Sequence, residues 1–213
     1  MNNPSFVHLD VNTEYTLGRS TIRQDQLIDA CIEMGMPAFG VTEHNNLFSA
    51  YKLYKSSQKK GIKYIIGSTI TIFDKKERTK SKLSLLCENE IGYKNLCTLI
   101  TQSYKKGLKN NEPLIDLEWL DGQTEGLIAI SSYNSGYFQQ SKSSDLKISS
   151  EKVITLQNLF HERLFISISR MGIPHEEKIN QSMIELSSMC NIPIVAVNNP
   201  IFLEKDDFIS LDA

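Results

Sequence analysis

Short apolar runs alternate with amphipathic stretches along this chain. Residues 6–11 have the length and alternation of a first strand. Residues 21–34 place Ile22, Leu27, Ile28, Cys31 and Met34 at helical spacing, with Gly35 at the end and Pro37 just beyond. Residues 38–41 predict a second strand. Residues 46–60 predict a helix whose apolar stripe is Leu47, Ala50, Tyr51 and Tyr54, with Lys59 and Lys60 in the last turn and Gly61 as its stop. Two further strands follow at 63–73 and 83–87, then a helix at 90–106 with Tyr93, Leu96, Ile100 and Tyr104 on one face. The rest reads as strand (127–131), helix (150–161), strand (164–168), helix (174–190, with Pro174 in its first turn) and strand (193–197).

Strands alternating with helices at this spacing predict parallel strands joined by crossover helices, in a closed barrel or an open doubly wound sheet. In either architecture functional residues gather beyond the strand C-termini. Two regions interrupt the alternation, the charged 74–82 (DKKERTKSK) and the Ser-, Gln- and Lys-rich 134–149. Both read as solvated excursions. At the C-terminus, Phe208, Ile209 and Leu211 begin an apolar stripe that then stops, the pattern of a fragment of a longer chain.

Composition adds limits. The chain has 213 residues, 40% of them hydrophobic, with net charge −2 and pI near 6.1. That is ordinary for a soluble globular protein and argues against a strong, sequence-blind grip on nucleic acid. No apolar run approaches the roughly 18 residues of a membrane span, so a cytoplasmic protein without membrane contact is expected. Cys31, Cys87, Cys97 and Cys190 are scattered without a C-x-x-C pair and read as buried thiols.

The strand ends carry the candidate chemistry. Asp10, Asn12, Thr13 and Glu14 follow the first strand, which contains His8, and Glu43 and His44 follow the second. Later ends bring Gly67, Ser68 and Thr69, then Glu88 and Asn89, Ser131 and Ser132, Ser167, Ser169 and Arg170, and finally Asn198 and Asn199. A site for two or three divalent ions needs several imidazoles and carboxylates to converge, because amides and hydroxyls are weak donors. Here His8 reads as a core residue, His161 as a helix-end residue and His175 as exposed. His44 is left as the one well-placed imidazole, with Asp10 and Glu43 beside it. No phosphate-binding glycine loop, dinucleotide fingerprint or nucleophile elbow is present.

Several stretches, in order, resemble the N-terminal PHP (polymerase and histidinol phosphatase) domain of the bacterial DNA polymerase III alpha subunit. They are FVHLDVNTEYTL (6–17), GMPAFGVTEHNNLFSAYKLYKSSQKKGIKYIIG (35–67), LSLLCENEIGYKNLCTLITQSY (83–104), EGLIAISS (125–132), RLFISISRMG (163–172) and IPIVAVNNPIFLEKDD (192–207). The resemblance implies a distorted seven-stranded (β/α) TIM-like barrel, filled by residues 1–213 as one domain. In metal-binding members of the family, the barrel mouth holds divalent ions used for phosphoester hydrolysis.

Against that pattern the ligands are depleted. The family's H-x-H pair falls on Asp10 and Asn12, and an aspartate falls on Arg19. A glutamate becomes Thr69, a histidine falls on Lys82 and a Cys-or-His position falls on Tyr133. Two later segments give Ser167 with Met171, and Asn199 with Ile201. Arg19 and Lys82 would bring positive charge to a cation site, where like charges about 4 Å apart repel by roughly 4 kcal/mol at an effective dielectric near 20.

The expectation is a non-catalytic structural and subunit-docking module with no catalytic residue of its own. Relic positions are His44, Glu43, Asp10, Asn12 and Asn199, and Arg19 and Lys82 are candidate anion contacts. Mg2+ would serve only the polymerase centre of the parent chain. Zn2+ or Mn2+ enters only under the alternative, an active phosphoesterase, 3′–5′ exonuclease or pyrophosphatase. Implied partners are the remainder of the alpha subunit, a proofreading exonuclease subunit, and DNA through the parent chain.

Overall fold

The computed structural model describes residues 6–76, 78–131, 138, 150–207 and 209. Its residues group into two compact units, Met1–Ser68 with Asn198–Ala213, and Thr69–Val197.

In the first unit, α1 (Gln24–Glu33) turns Leu27, Ile28 and Cys31 inward, and β1 (Ala38–His44) is buried as far as Glu43. α2 (Ala50–Lys60) buries only Ala50, Leu53 and Ser57 and ends on Gly61 at φ 71°, a conformation that costs glycine nothing. The stripe expected through Tyr51 and Tyr54 is therefore misplaced, and both rings are exposed. The first strand is also reduced, to a single parallel bridge between Val11 and Val41. The pairing is nonetheless tight, because Gly40 N donates to His8 O (2.7 Å), Val11 N to Gly40 O (3.1 Å) and Thr42 N to Val11 O (2.9 Å). Gly40 permits this approach, since a Cβ there would stand 3.0 Å from Leu9 O. The core joins Val11, Ile22, Leu27, Ile28, Phe39, Val41 and Leu53, with Tyr64 stacked on Phe39 at a ring separation of 5.3 Å. Each such aliphatic side chain contributes about 1.5–3 kcal/mol by leaving water.

β2 (Lys63–Asp74) enters the second unit at Thr69. There follow β3 (Thr79–Cys87), α3 (Glu90–Lys105), three two-residue strands β4 (Leu108–Lys109), β5 (Glu112–Pro113) and β6 (Ile115–Asp116), then β7 (Leu127–Ser131), α4 (Ser150–Phe160), β8 (Leu164–Ile168), α5 (Glu176–Cys190) and β9 (Ile194–Ala196). The sheet runs β2-β3-β7-β8-β9, with β6 on the side of β2. β7, β8 and β9 are parallel, but β3 is antiparallel to β7, pairing Ser84 with Ile130 and Cys87 with Leu127. An all-parallel barrel is thus not what these strands form. The reason is local: residues 74–82 are exposed or half-buried where described, as a solvated stretch should be, but β2 runs to Asp74 and β3 begins at Thr79. So short a link has no room for a crossover helix. Lys80 and Lys82 belong to β3, whose charged positions resembled a loop.

α3 is fixed by its first turn. Asn89 caps it by accepting from Gly92 N (3.1 Å), and Asn95 Nδ2 donates to Glu125 O (2.9 Å). A Cβ on Gly92 would lie 1.8 Å from Gly126 O, so only glycine lets the turn at Gly126 seat against the helix. The buried face is Leu96, Leu99 and Ser103, while Tyr93 and Tyr104 of the expected stripe are exposed.

Cys31 is buried, the other three cysteines are half-buried, and all are free thiols. Burial pushes the Cys31 thiol up to about 11, and burial with the neighbouring Cys97 pushes Cys87 to about 12. Among the described residues no helix is long and apolar enough to cross a membrane. The 134–149 stretch (Phe138 aside), Tyr133, Phe208 and Leu211 lie outside the described residues.

Gly92→Ala is expected to lower unfolding stability by about 1–3 kcal/mol, because the added methyl must push α3 off the Gly126 turn. A urea midpoint unchanged from the parent would contradict the contact.

Candidate functional site

The stretch V-T-E-H-N-N runs off the end of β1 in the first unit. The strand continues through Glu43 and His44, so these are strand residues and not the loop residues that follow. Asn45 then turns the chain with φ 55°, a conformation asparagine tolerates better than most residues. Asn46 Oδ1 accepts from Phe48 N (3.0 Å), and its Nδ2 donates to Tyr15 O and His44 O (3.1 Å each), which fixes the loop before α2.

Glu43 is 1% exposed, and hydroxyl and amide donors surround its carboxylate. Thr13 Oγ1 donates to Oε1, Thr16 Oγ1 to Oε2, and Thr13 N to Oε2 (3.2 Å). A carboxylate is acceptor-only, and hydrogen bonds to a charged acceptor are each worth about 1.5–3 kcal/mol. Thr16 Oγ1 also accepts from His44 N (3.2 Å), and Ser68 Oγ donates to Glu43 O (2.8 Å). The outcome is a closed polar knot tying residues 13–16 to β1.

Asp10 and Asn12 are occupied in the same manner. Thr42 Oγ1 donates to Asp10 Oδ1, and Asn199 Nδ2 donates to Asp10 O (3.1 Å) and Oδ2 (3.3 Å). Asn12 Nδ2 donates to Thr42 O (2.8 Å). Ser20 Oγ reaches Asn12 O (2.6 Å) and Ile201 O (3.0 Å), and Thr21 N donates to Ile201 O (2.9 Å). His44 is half-buried, with Nε2 3.3 Å from Asn45 Nδ2. The structure thus gathers Asp10, Asn12, Glu43, His44 and Asn199 around one strand end. Among the described residues, however, no three His, Cys, Asp or Glu side chains stand where they could share a metal ion.

Arg19 is exposed in the first unit, and Lys82 is half-buried on β3 in the second. His8 is half-buried, its ring packed edge-on to Phe6 and its Nδ1 without a partner; burial lowers its pKa. His161 and His175 are exposed, both at positive φ.

Among the hydroxyls that hold Glu43 and its strand, sequence reasoning names Thr13 and Ser68 only as strand-end residues and misses Thr16 and the pairing itself. A T-x-x-T spacing carries no signal that names a carboxylate 27 or 30 positions away. Glu176 was missed as well. At the start of α5 it accepts from Met171 N (2.7 Å), Gly172 N (2.9 Å) and Ser169 Oγ (2.9 Å), closing the loop after β8 on itself. Those bonds, Met171 N foremost, with Arg170 nearby, hold its carboxyl below the usual glutamate range.

Glu43→Ala should cost about 2 kcal/mol or more, because it strands buried donors, whereas His44→Ala should cost less than about 1 kcal/mol. Equal midpoints for the two variants in urea would refute the structural role of Glu43. A carboxyl whose folded pKa is depressed stabilises above its unfolded pKa, near 4.3, and that stabilisation is lost as pH falls through the folded value. The thermal midpoint of Glu176→Gln should therefore lie below the parent at pH 7, with the gap closing in acid. A gap independent of pH would exclude the charge as its source.

The family model described as PHP domain matches residues 8–171. DNA polymerase III subunit alpha of Pseudomonas aeruginosa is 34% identical over 206 residues, covering 96% of this chain and 18% of that protein. The same subunit of Escherichia coli K12 is 31% identical over 210 residues, covering 98% and 18%. The chain thus spans about a fifth of the length of the curated relatives it matches. In structure it is similar to a crystal structure from Bifidobacterium adolescentis described as a metal-dependent phosphoesterase (TM-score 0.63, 9% identity, 92% of this chain and 87% of that one). It is also similar to an amidohydrolase from Chromobacterium violaceum with bound sulfate and no metal (TM-score 0.58, 9% identity, 97% and 95%). From matched family model to shared mixed α/β fold, the chain belongs to the PHP domain family, and its sequence is homologous to the PHP region of DNA polymerase III alpha subunits.

Proposed function

We propose that this chain is the PHP module of a replicative polymerase alpha subunit, acting as a structural and subunit-docking element and not as a hydrolase. The supporting observation is the state of Glu43: a buried carboxylate whose two oxygens are taken by Thr13 and Thr16 has little left to offer a cation. Asp10, held by Thr42 and Asn199, is in a similar position. A tight divalent site uses three or four good donors, and His44 alone does not supply them. The donor set therefore does not fit the ion cluster that the family implies, and no hydrolytic step is derived through one.

In this reading template-directed synthesis belongs to parts of the relatives outside the aligned fifth, with Mg2+ at that centre. The module packs on the remainder of the alpha polypeptide in the cytoplasm and offers a surface to a proofreading exonuclease subunit. With proofreading delegated in this way, selection to keep ligands at the strand ends relaxes.

The test is hydrolysis of p-nitrophenyl phosphate by the purified chain with Mn2+ or Zn2+. Turnover at the buffer rate, unaffected by His44→Ala, is expected. Metal-dependent turnover that His44→Ala abolishes would instead establish the phosphoesterase alternative, with Asp10, Glu43 and His44 as ligands.

A further inference from the structure

The exposed side of α2 is unusual for this chain. Residues 44–73 contain no Asp or Glu but five lysines, Lys52, Lys55, Lys59, Lys60 and Lys63, in a protein whose net charge is −2. Of these, Lys60 is paired with Asp29. Because α2 spends only Ala50, Leu53 and Ser57 on the core, its Tyr51 (68% exposed) and Tyr54 (50%) face water, as does Phe48 (67%) in the turn before it. Spacing of three within the helix keeps the two tyrosine rings neighbours on the surface, with the lysines interleaved. Lys55 Nζ lies 5.1 Å from the centre of the Tyr51 ring, and Lys52 Nζ is 3.3 Å from Tyr15 Oη, so two cations are already pinned beside rings. At the C-terminal end of the helix a groove of about 470 Å³ opens between Tyr54, Gln58, Lys63 and Tyr64. Tyr64 is immobilised there by its stack on Phe39.

We infer that this face of α2 binds single-stranded nucleic acid, the lysines taking phosphates and the exposed rings stacking on bases. Solvent-facing aromatic side chains in a contiguous row call for a partner. Cations interleaved with rings are the combination that tracks a single strand, since every base offers a flat face and every nucleotide a charge. Duplex bases are already stacked and would leave the rings without partners. The groove adds a place for one base between two tyrosines, with the Gln58 amide and the Lys63 ammonium at its rim. The overall negative charge conceals this patch and limits its affinity, so the contact guides a strand and does not clamp it. It goes beyond the scaffold role proposed above and stands independently of it, because no residue of the Glu43 knot takes part.

The test is fluorescence anisotropy of a labelled oligothymidylate titrated with the whole chain, beside a hairpin duplex and a poly-glutamate competitor. Saturable binding to the single strand is expected, tighter than to the duplex. It should weaken with salt at a slope of about −2 for three lysine–phosphate contacts at roughly −0.7 each. Tyr51→Ala combined with Tyr54→Ala should weaken it roughly tenfold or more with the salt slope retained, and Lys52→Glu with Lys55→Glu should flatten the slope. All four side chains are exposed, so thermal midpoints should not move. Absence of binding, equal affinity for duplex, displacement by poly-glutamate at equal charge, or indifference to the tyrosine substitutions would each overturn the inference; the second and third would mark a generic surface for polyanions or acidic proteins.

Discussion

The buried carboxylate of Glu43 is the constraint around which the first unit is arranged. A carboxylate removed from water must be compensated, and here two threonine hydroxyls and one amide compensate it from the segment that follows Val11. That segment forms one isolated β-bridge, at Val11, so side-chain bonds add to a few backbone bonds in setting its path. Thr42, one residue earlier, repeats the device by donating to Asp10, and Asn199 brings the returning chain to the same aspartate. Asp10, Glu43 and Asn199 thus help cross-link three stretches of backbone.

These cross-links have a physical logic. A cation at the strand ends would hold several loops together by coordination. Amides and hydroxyls satisfy carboxylates and carbonyls directly, so hydrogen bonds alone can order such loops. Asn12 shows this most simply, its amide donating to Thr42 O (2.8 Å). Away from this strand end, Glu176 solves a similar problem in the second unit by capturing the backbone amides of its own loop.

Much of this fold was legible because periodicity reports burial directly. The strands at 127–131 and 164–168 and the Gly61 stop of α2 appear where apolar spacing and turn chemistry place them. Errors arose where a residue type has two uses. Tyrosines at helical spacing suggest core faces in α2 and α3, yet Ala50, Leu53 and Ser57 in α2 and Gly92, Leu96, Leu99 and Ser103 in α3 form the buried faces and leave most of the rings outside. Lysines at 80 and 82 suggested a loop, although β3 accommodates them among its less buried positions. The candidate site was legible only as a list of positions. That Glu43 points at Thr13 and Thr16 depends on how residues 8–12 lie against Gly40, a contact no local pattern encodes.

The most direct measurement is a crystal of the chain soaked in Mn2+ and examined by anomalous scattering. The expected map shows no manganese among Asp10, Glu43 and His44, with the Thr13 and Thr16 hydroxyls still seated on the Glu43 carboxylate. Two ordered manganese peaks coordinated by those three side chains, with the threonines displaced, would contradict it.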